Sequence, residues 1–140
     1  MKKISILVAG LLFVAPAFSQ NAAHKTTQTG PSVSADKAKM LCKAWMLDSV
    51  EQFSVVHAAN TTEKADGITF MADGTFFVTW EGVASTGTWS GNAAPYINTS
   101  TGTPAVKKMY KLLSLADGRL VLEYQTEDLI RSQYIYKPKK

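Results

Sequence analysis

Reactive groups are scarce in this sequence. Its 140 residues hold one cysteine, Cys42, and two histidines, His24 and His57. A single thiol makes no intrachain disulfide, which excludes a disulfide-stapled scaffold. Met40-Leu41-Cys42 sets that thiol among apolar residues shortly before Trp45, so it reads as a small buried hydrophobe. No His/Cys/Asp/Glu cluster has metal-ligand spacing. There is no Gly-x-Ser-x-Gly elbow and no phosphate-binding glycine loop. With the acid, base and nucleophile groups of the common enzyme classes missing, the expectation is a protein that is not an enzyme and uses no cofactor. Charge is sparse as well. The formal +4 includes Lys2 and Lys3, which lie in a segment expected to be removed; thirteen basic against eleven acidic residues then leave +2. That is too weak for a nucleic-acid partner. A hydrophobic share of 46% in a chain of single-domain length excludes a disordered protein and a multidomain enzyme.

Long apolar runs are rare too. The one that stands out, Ile4 to Ala15, follows the positive start Met1-Lys2-Lys3 and precedes Pro16-Ala17-Phe18-Ser19. Ala17 and Ser19 are small residues at the −3 and −1 positions of a cleavage site, so residues 1–19 are predicted to be a signal peptide and Gln20 the mature N-terminus. The run is shorter than the ~20 residues a spanning helix needs, and no later segment is apolar enough to span. No cysteine stands at the cleavage point to take a lipid. The expectation is an exported protein, periplasmic or extracellular, with no membrane span. Residues 20–33 are rich in Asn, Thr, Gln, Gly and Ser without apolar periodicity and read as a flexible tether. The folded domain is placed at 34–140, beginning with a short helix capped by Ser34 and running to about Leu41.

Beyond the helix the pattern changes to short strands: 43–50, 67–72, 75–81, 84–90, a short piece near Tyr96, 106–115, 120–126 and 129–137, with a further strand at 53–57. Eight or nine strands at close spacing predict an all-β sandwich or barrel. Two Ala-Asp-Gly turns, 72–74 and 116–118, are strong hairpin signals. At the first, a three-residue loop with Gly74 left-handed puts Ile68, Phe70, Phe76, Val78 and Trp80 on one face. A two-residue loop would bring the less apolar Thr75, Phe77 and Thr79 there, so the three-residue loop is preferred. At the second, three residues align Tyr110, Leu112, Leu120, Leu122 and Tyr124, whereas two align Leu113, Leu115, Leu120 and Leu122. The aromatic set favours the first.

The ordered set Lys43-Ala44-Trp45-Met46-Leu47, Ile68-Thr69-Phe70-Met71-Ala72-Asp73-Gly74-Thr75-Phe76, Gly87-Thr88-Trp89, Tyr110-Lys111-Leu112 and Leu120-Val121-Leu122 resembles the lipocalin-like domain of small exported bacterial proteins, within the calycin superfamily. The resemblance covers about residues 39–137. It implies an up-and-down antiparallel barrel of about eight strands with a central cavity. One departure is visible: true lipocalins carry Gly-x-Trp on the first strand, where this chain has Lys43-Ala44-Trp45, and its Gly87-Thr88-Trp89 falls mid-barrel.

Strand parity then selects a candidate ligand wall. Trp45, Phe70, Phe76, Trp80, Leu122 and Tyr124 are expected to face inward, with Tyr110 and Tyr134 adding hydroxyls. No charged residue falls inward on this reading, so a small, neutral or weakly polar apolar molecule is the expected partner of a monomeric protein. Glu81, Glu123 and Arg131 are expected on the outer face and His57 in a solvated loop. The alternative is a filled barrel that binds a partner through its loops or outer face.

Overall fold

The computed structural model describes residues 34–93 and 95–140; the expected signal peptide, its cleavage site and the tether lie outside the described residues. A helix α1 (Ala35–Leu41) precedes nine strands: β1 (Ala44–Gln52), β2 (Val55–Ala58), β3 (Gly67–Phe70), β4 (Thr75–Trp80), β5 (Val83–Ala93), β6 (Tyr96–Thr101), β7 (Val106–Ala116), β8 (Arg119–Gln125) and β9 (Arg131–Pro138). Every pairing is antiparallel. Strands β3 to β9 follow one another in space, and β1 closes the ring by pairing with both β3 and β9. Eight strands therefore form a closed up-and-down barrel. The ninth, β2, pairs with the last four residues of β1, outside the ring.

Closure places α1 and the turns after β3, β5 and β7 at one end. The turns after β1, β4, β6 and β8 lie at the other. The α1 end is plugged. Ser34 caps the helix by accepting from the Lys37 amide at 3.5 Å, and Leu41 is fully buried. Trp45 Nε1 donates to the Leu41 carbonyl at 2.9 Å, a helix-end acceptor that also takes the Lys43 amide. Trp89 Nε1 donates to the carbonyl of Met71, in the turn after β3, at 2.8 Å, beside the Gly74 amide. Between these anchors Phe70 meets Phe76 and Trp89 with ring centroids 5.2 and 5.3 Å apart. Leu47, Ile97, Leu120, Leu122 and Tyr136 complete a buried cluster. Gly87 sits opposite Phe76, where a Cβ would collide with the backbone carbonyl oxygen of Ser100, so only glycine lets β5 and β6 approach this closely.

The first Asp-Gly hairpin has the expected register. Phe70 pairs with Phe76, the Met71 amide donates to Thr75, and Gly74 takes φ +88°. At the second, the loop has two residues: Ala116 pairs with Arg119 and Leu115 with Leu120. A bulge at Leu113 then shifts the strand by one residue, so Leu112 faces Leu122 and Tyr110 faces Tyr124. The loop length is corrected, yet the expected aromatic face forms, because the bulge restores the parity that burial of Tyr110 and Leu112 requires. Three strand ends are also corrected. Phe53, Glu81 and Leu129 lie in turns, not strands, all at left-handed φ between 50° and 63°.

Candidate functional site

The eight residues expected to form a ligand wall divide into two groups. Trp45, Phe70, Phe76 and Leu122 are fully buried in the cluster at the α1 end. Trp80, Tyr110, Tyr124 and Tyr134 face inward nearer the other end, and all four keep contact with solvent. Trp80 is 37% exposed and meets Tyr134 edge-on, with centroids 5.2 Å apart, reaching across from β4 to β9. Tyr110 and Tyr124 are cross-strand partners with centroids 5.6 Å apart. Val50 and Val78 are half-buried beside them. An inward-facing side chain near a barrel end that stays partly wet is reached through that end, so these residues line a mouth.

The hydroxyls of Tyr110 and Tyr134 are held neutral. Burial pushes the Tyr110 phenol well above its ordinary value, reinforced by Tyr134 and Tyr124 nearby. Burial raises Tyr134 as well, offset in part by a Ser132 hydrogen bond. Tyr136, deeper and fully buried, is raised for the same first reason, with Tyr110, Tyr134 and Asp66 adding to it. The phenols of Tyr110, Tyr134 and Tyr136 can therefore donate hydrogen bonds throughout the physiological range.

Two charged residues also face inward, which corrects the expectation of an uncharged interior. Lys108 pairs with buried Thr99 on β6 and lies two residues before Tyr110, on the same face of β7. Its Nζ stands 5.3 Å from the centre of the Tyr124 ring. Alternation with Tyr110 was the signal that could have revealed it. Asp66 is 1% exposed and shares the face of Ile68. Its carboxylate accepts from the amides of Glu81 at 3.0 Å and Gly82 at 3.4 Å, capping the turn after β4. No sequence signal marked it, because it lies in a polar loop whose path depends on the barrel.

Elsewhere, Cys42 is half-buried against the core, and its thiol is raised by burial and by nearby Asp73, away from the thiolate a nucleophile needs. Arg131 is exposed, and so is His57, although it lies on strand β2 opposite Val50 and not in a loop, because β2 adds to β1 outside the ring; Glu123 stands on the outer face, paired with Gln133 and Lys111. Among the described residues, no group of three His, Cys, Asp or Glu side chains could hold a metal ion, and no helix is long and apolar enough to cross a membrane. Outside the barrel, a groove of about 860 Å³ runs over β5, β6 and β7. Thr88, Ser90, Asn98 and Ser100 form its floor, with Asp73 and Met109 at its sides.

No protein-family model and no curated protein matches the chain. Among solved structures, it is similar to a lipocalin-like protein from Bacteroides uniformis, with 16% identity over 71% of this chain and 98% of that one, at a TM-score of 0.55. With its closed ring of eight antiparallel strands, the chain has the lipocalin-like barrel fold.

Proposed function

We propose that the chain is an exported binding module that holds a small apolar molecule in the mouth half of its barrel. The observation that carries this reading is the inward-facing, solvent-reachable set Trp80, Tyr110, Tyr124 and Tyr134, stacked above a floor that is already packed. Covering those rings would remove apolar surface from water at roughly 25 cal/mol per Å², enough for micromolar binding of a small amphiphile after association costs. Of the eight wall residues, Trp45, Phe70, Phe76 and Leu122 then act as the floor and the other four as the contact surface. The module works as a monomer, without cofactor or catalysis. Export rests on residues 1–19 and is checked by mass analysis of secreted material, which should show Gln20 first; intact Met1 in the cytoplasm would contradict it.

The binding test is fluorescence. Titrating 1-anilinonaphthalene-8-sulfonate or 1-decanol should change tryptophan emission, and Trp80→Ala should weaken binding. No response to either probe in the parent would favour the second reading, a partner bound on the outer face, to which the groove over β5–β7 lends support.

A further inference from the structure

We propose a second binding site, independent of the mouth. The outer groove floored by Thr88, Ser90, Asn98 and Ser100 takes a neutral, extended oligosaccharide, with Phe77 and Tyr96 stacking on its sugar rings at either end.

Hydroxyls elsewhere in the barrel serve the fold. Thr99 donates to the Lys108 carbonyl at 3.4 Å, and Ser132 accepts from Gln52 at 3.1 Å. On the outer face, Thr88 pairs with Ser100 and Ser90 with Asn98, so four polar side chains form a grid across β5 and β6. Among the described residues, no protein group hydrogen-bonds to any of these four side chains, and none of the four is fully buried. Each can both donate and accept, as a sugar hydroxyl does. Two aromatic rings bracket the grid on the same face. Phe77 lies two residues beyond Thr75, opposite Thr86, and Tyr96 two residues before Asn98, opposite Ala93. They are 43% and 41% exposed, whereas their neighbours Phe76 and Ile97 are buried. Their partners on β5 are seven residues apart (93 minus 86), which separates the rings by roughly 20 Å along the strand. That is the reach of a short chain of sugars rather than of a single one. The C–H faces of such a chain suit exposed rings, and its hydroxyls suit the floor between them.

Other occupants fit less well. Asp73 and Lys107 stand on opposite sides of the groove and balance each other, which disfavours a charged chain. An apolar molecule would strip water from the polar floor and offer no hydrogen bonds in return. A peptide strand needs a free sheet edge, and β5 and β6 are paired on both sides.

The experiment adds cellopentaose, xylopentaose and maltopentaose in turn to the mature protein at millimolar concentration and follows backbone amide shifts by NMR. At least one should shift Thr88, Ser90, Asn98 and Ser100 and leave Tyr124 and Tyr134 at the mouth unmoved. For that sugar, Tyr96→Ala and Phe77→Ala should each weaken binding about tenfold, the scale of one aromatic contact. Asn98→Ala should weaken it about threefold, the scale of one neutral hydrogen bond. Phe53→Ala, which removes an exposed ring far from the groove, should leave the affinity unchanged. All four are surface substitutions, and unchanged melting temperatures verify that each variant is folded. No shift in the groove with any of the three sugars, or shifts centred on the mouth, would overturn the site. So would undiminished affinity in both Tyr96→Ala and Phe77→Ala. Tighter binding of an oligogalacturonate of the same length would overturn the neutral ligand.

Discussion

Phe70 and Tyr134 both face the barrel interior, yet only Tyr134 meets water. At the α1 end, aromatic rings interlock, indole N–H groups are satisfied by backbone carbonyls, and a helix covers the opening. The turns after β3 and β7 there are Asp-Gly, suited to their backbone. At the mouth, inward side chains stay half-buried. The turns carry Phe53, at 76% exposure, and Leu129, at 74%, both at left-handed φ, which costs side-chain-bearing residues energy. All four non-glycine residues with positive φ among the described residues, Phe53, Ser54, Glu81 and Leu129, lie at this end. The packed half stabilises the fold. The wet half carries the left-handed turn residues and the inward side chains that keep contact with solvent.

The largest expected effect comes from breaking the packed half. Phe70→Ala should cost about 3–5 kcal/mol, from lost transfer energy and a cavity that fixed strands cannot close. Tyr134→Phe should cost about 1 kcal/mol or less, because its phenol is only partly buried. Urea denaturation of the two variants measures the difference; equal losses would erase the distinction between the halves. Gly74→Val, at the turn under the floor, should cost on the order of 1–3 kcal/mol, since a β-branched residue fits poorly at φ +88°.

A pH scan should find the tyrosines. Below their ordinary value of 10.0 they are protonated in both folded and unfolded chains and contribute no slope. Above it, unfolded phenols release protons that the buried Tyr110 and Tyr136 retain. The unfolded state is then favoured, and stability should fall by about 1.4 kcal/mol per pH unit for each such phenol. Melting temperatures measured from pH 9 to 11 should drop, and Tyr110→Phe should reduce the slope. The smallest effect belongs to the strained turns. Phe53→Gly or Leu129→Gly should leave stability unchanged or raise it by up to ~1 kcal/mol, because glycine relieves the left-handed strain and little buried surface is lost.

The same contrast decides how much was legible in the sequence. The α1 end follows rules visible in one dimension: a serine cap, a left-handed glycine at Asp73-Gly74 and alternation of large apolar residues gave Trp45, Phe70 and Phe76 their burial. The mouth breaks those rules. Phe53-Ser54 carries no glycine for its left-handed backbone, so Phe53 reads as the start of a strand, and Leu129 joins a strand for the same reason; Glu81 extends its strand by one residue, although Gly82 behind it, at φ +78°, marks the turn. The bulge at Leu113 could not be read from either candidate register, because it satisfies the two-residue turn and the Tyr110 face together. Lys108 was passed over although its parity with Tyr110 was available. Asp66 depended on a long-range cap that only the closed ring creates.

The account's central claim is that a ligand enters at the mouth. Backbone amide shifts recorded by NMR while 1-decanol is added to the mature protein test this most directly. The account predicts shifts centred on Trp80, Lys108, Tyr110, Tyr124 and Tyr134, with Thr88, Asn98 and Ser100 in the outer groove unmoved. Shifts confined to that groove, or none at saturating probe, would contradict it.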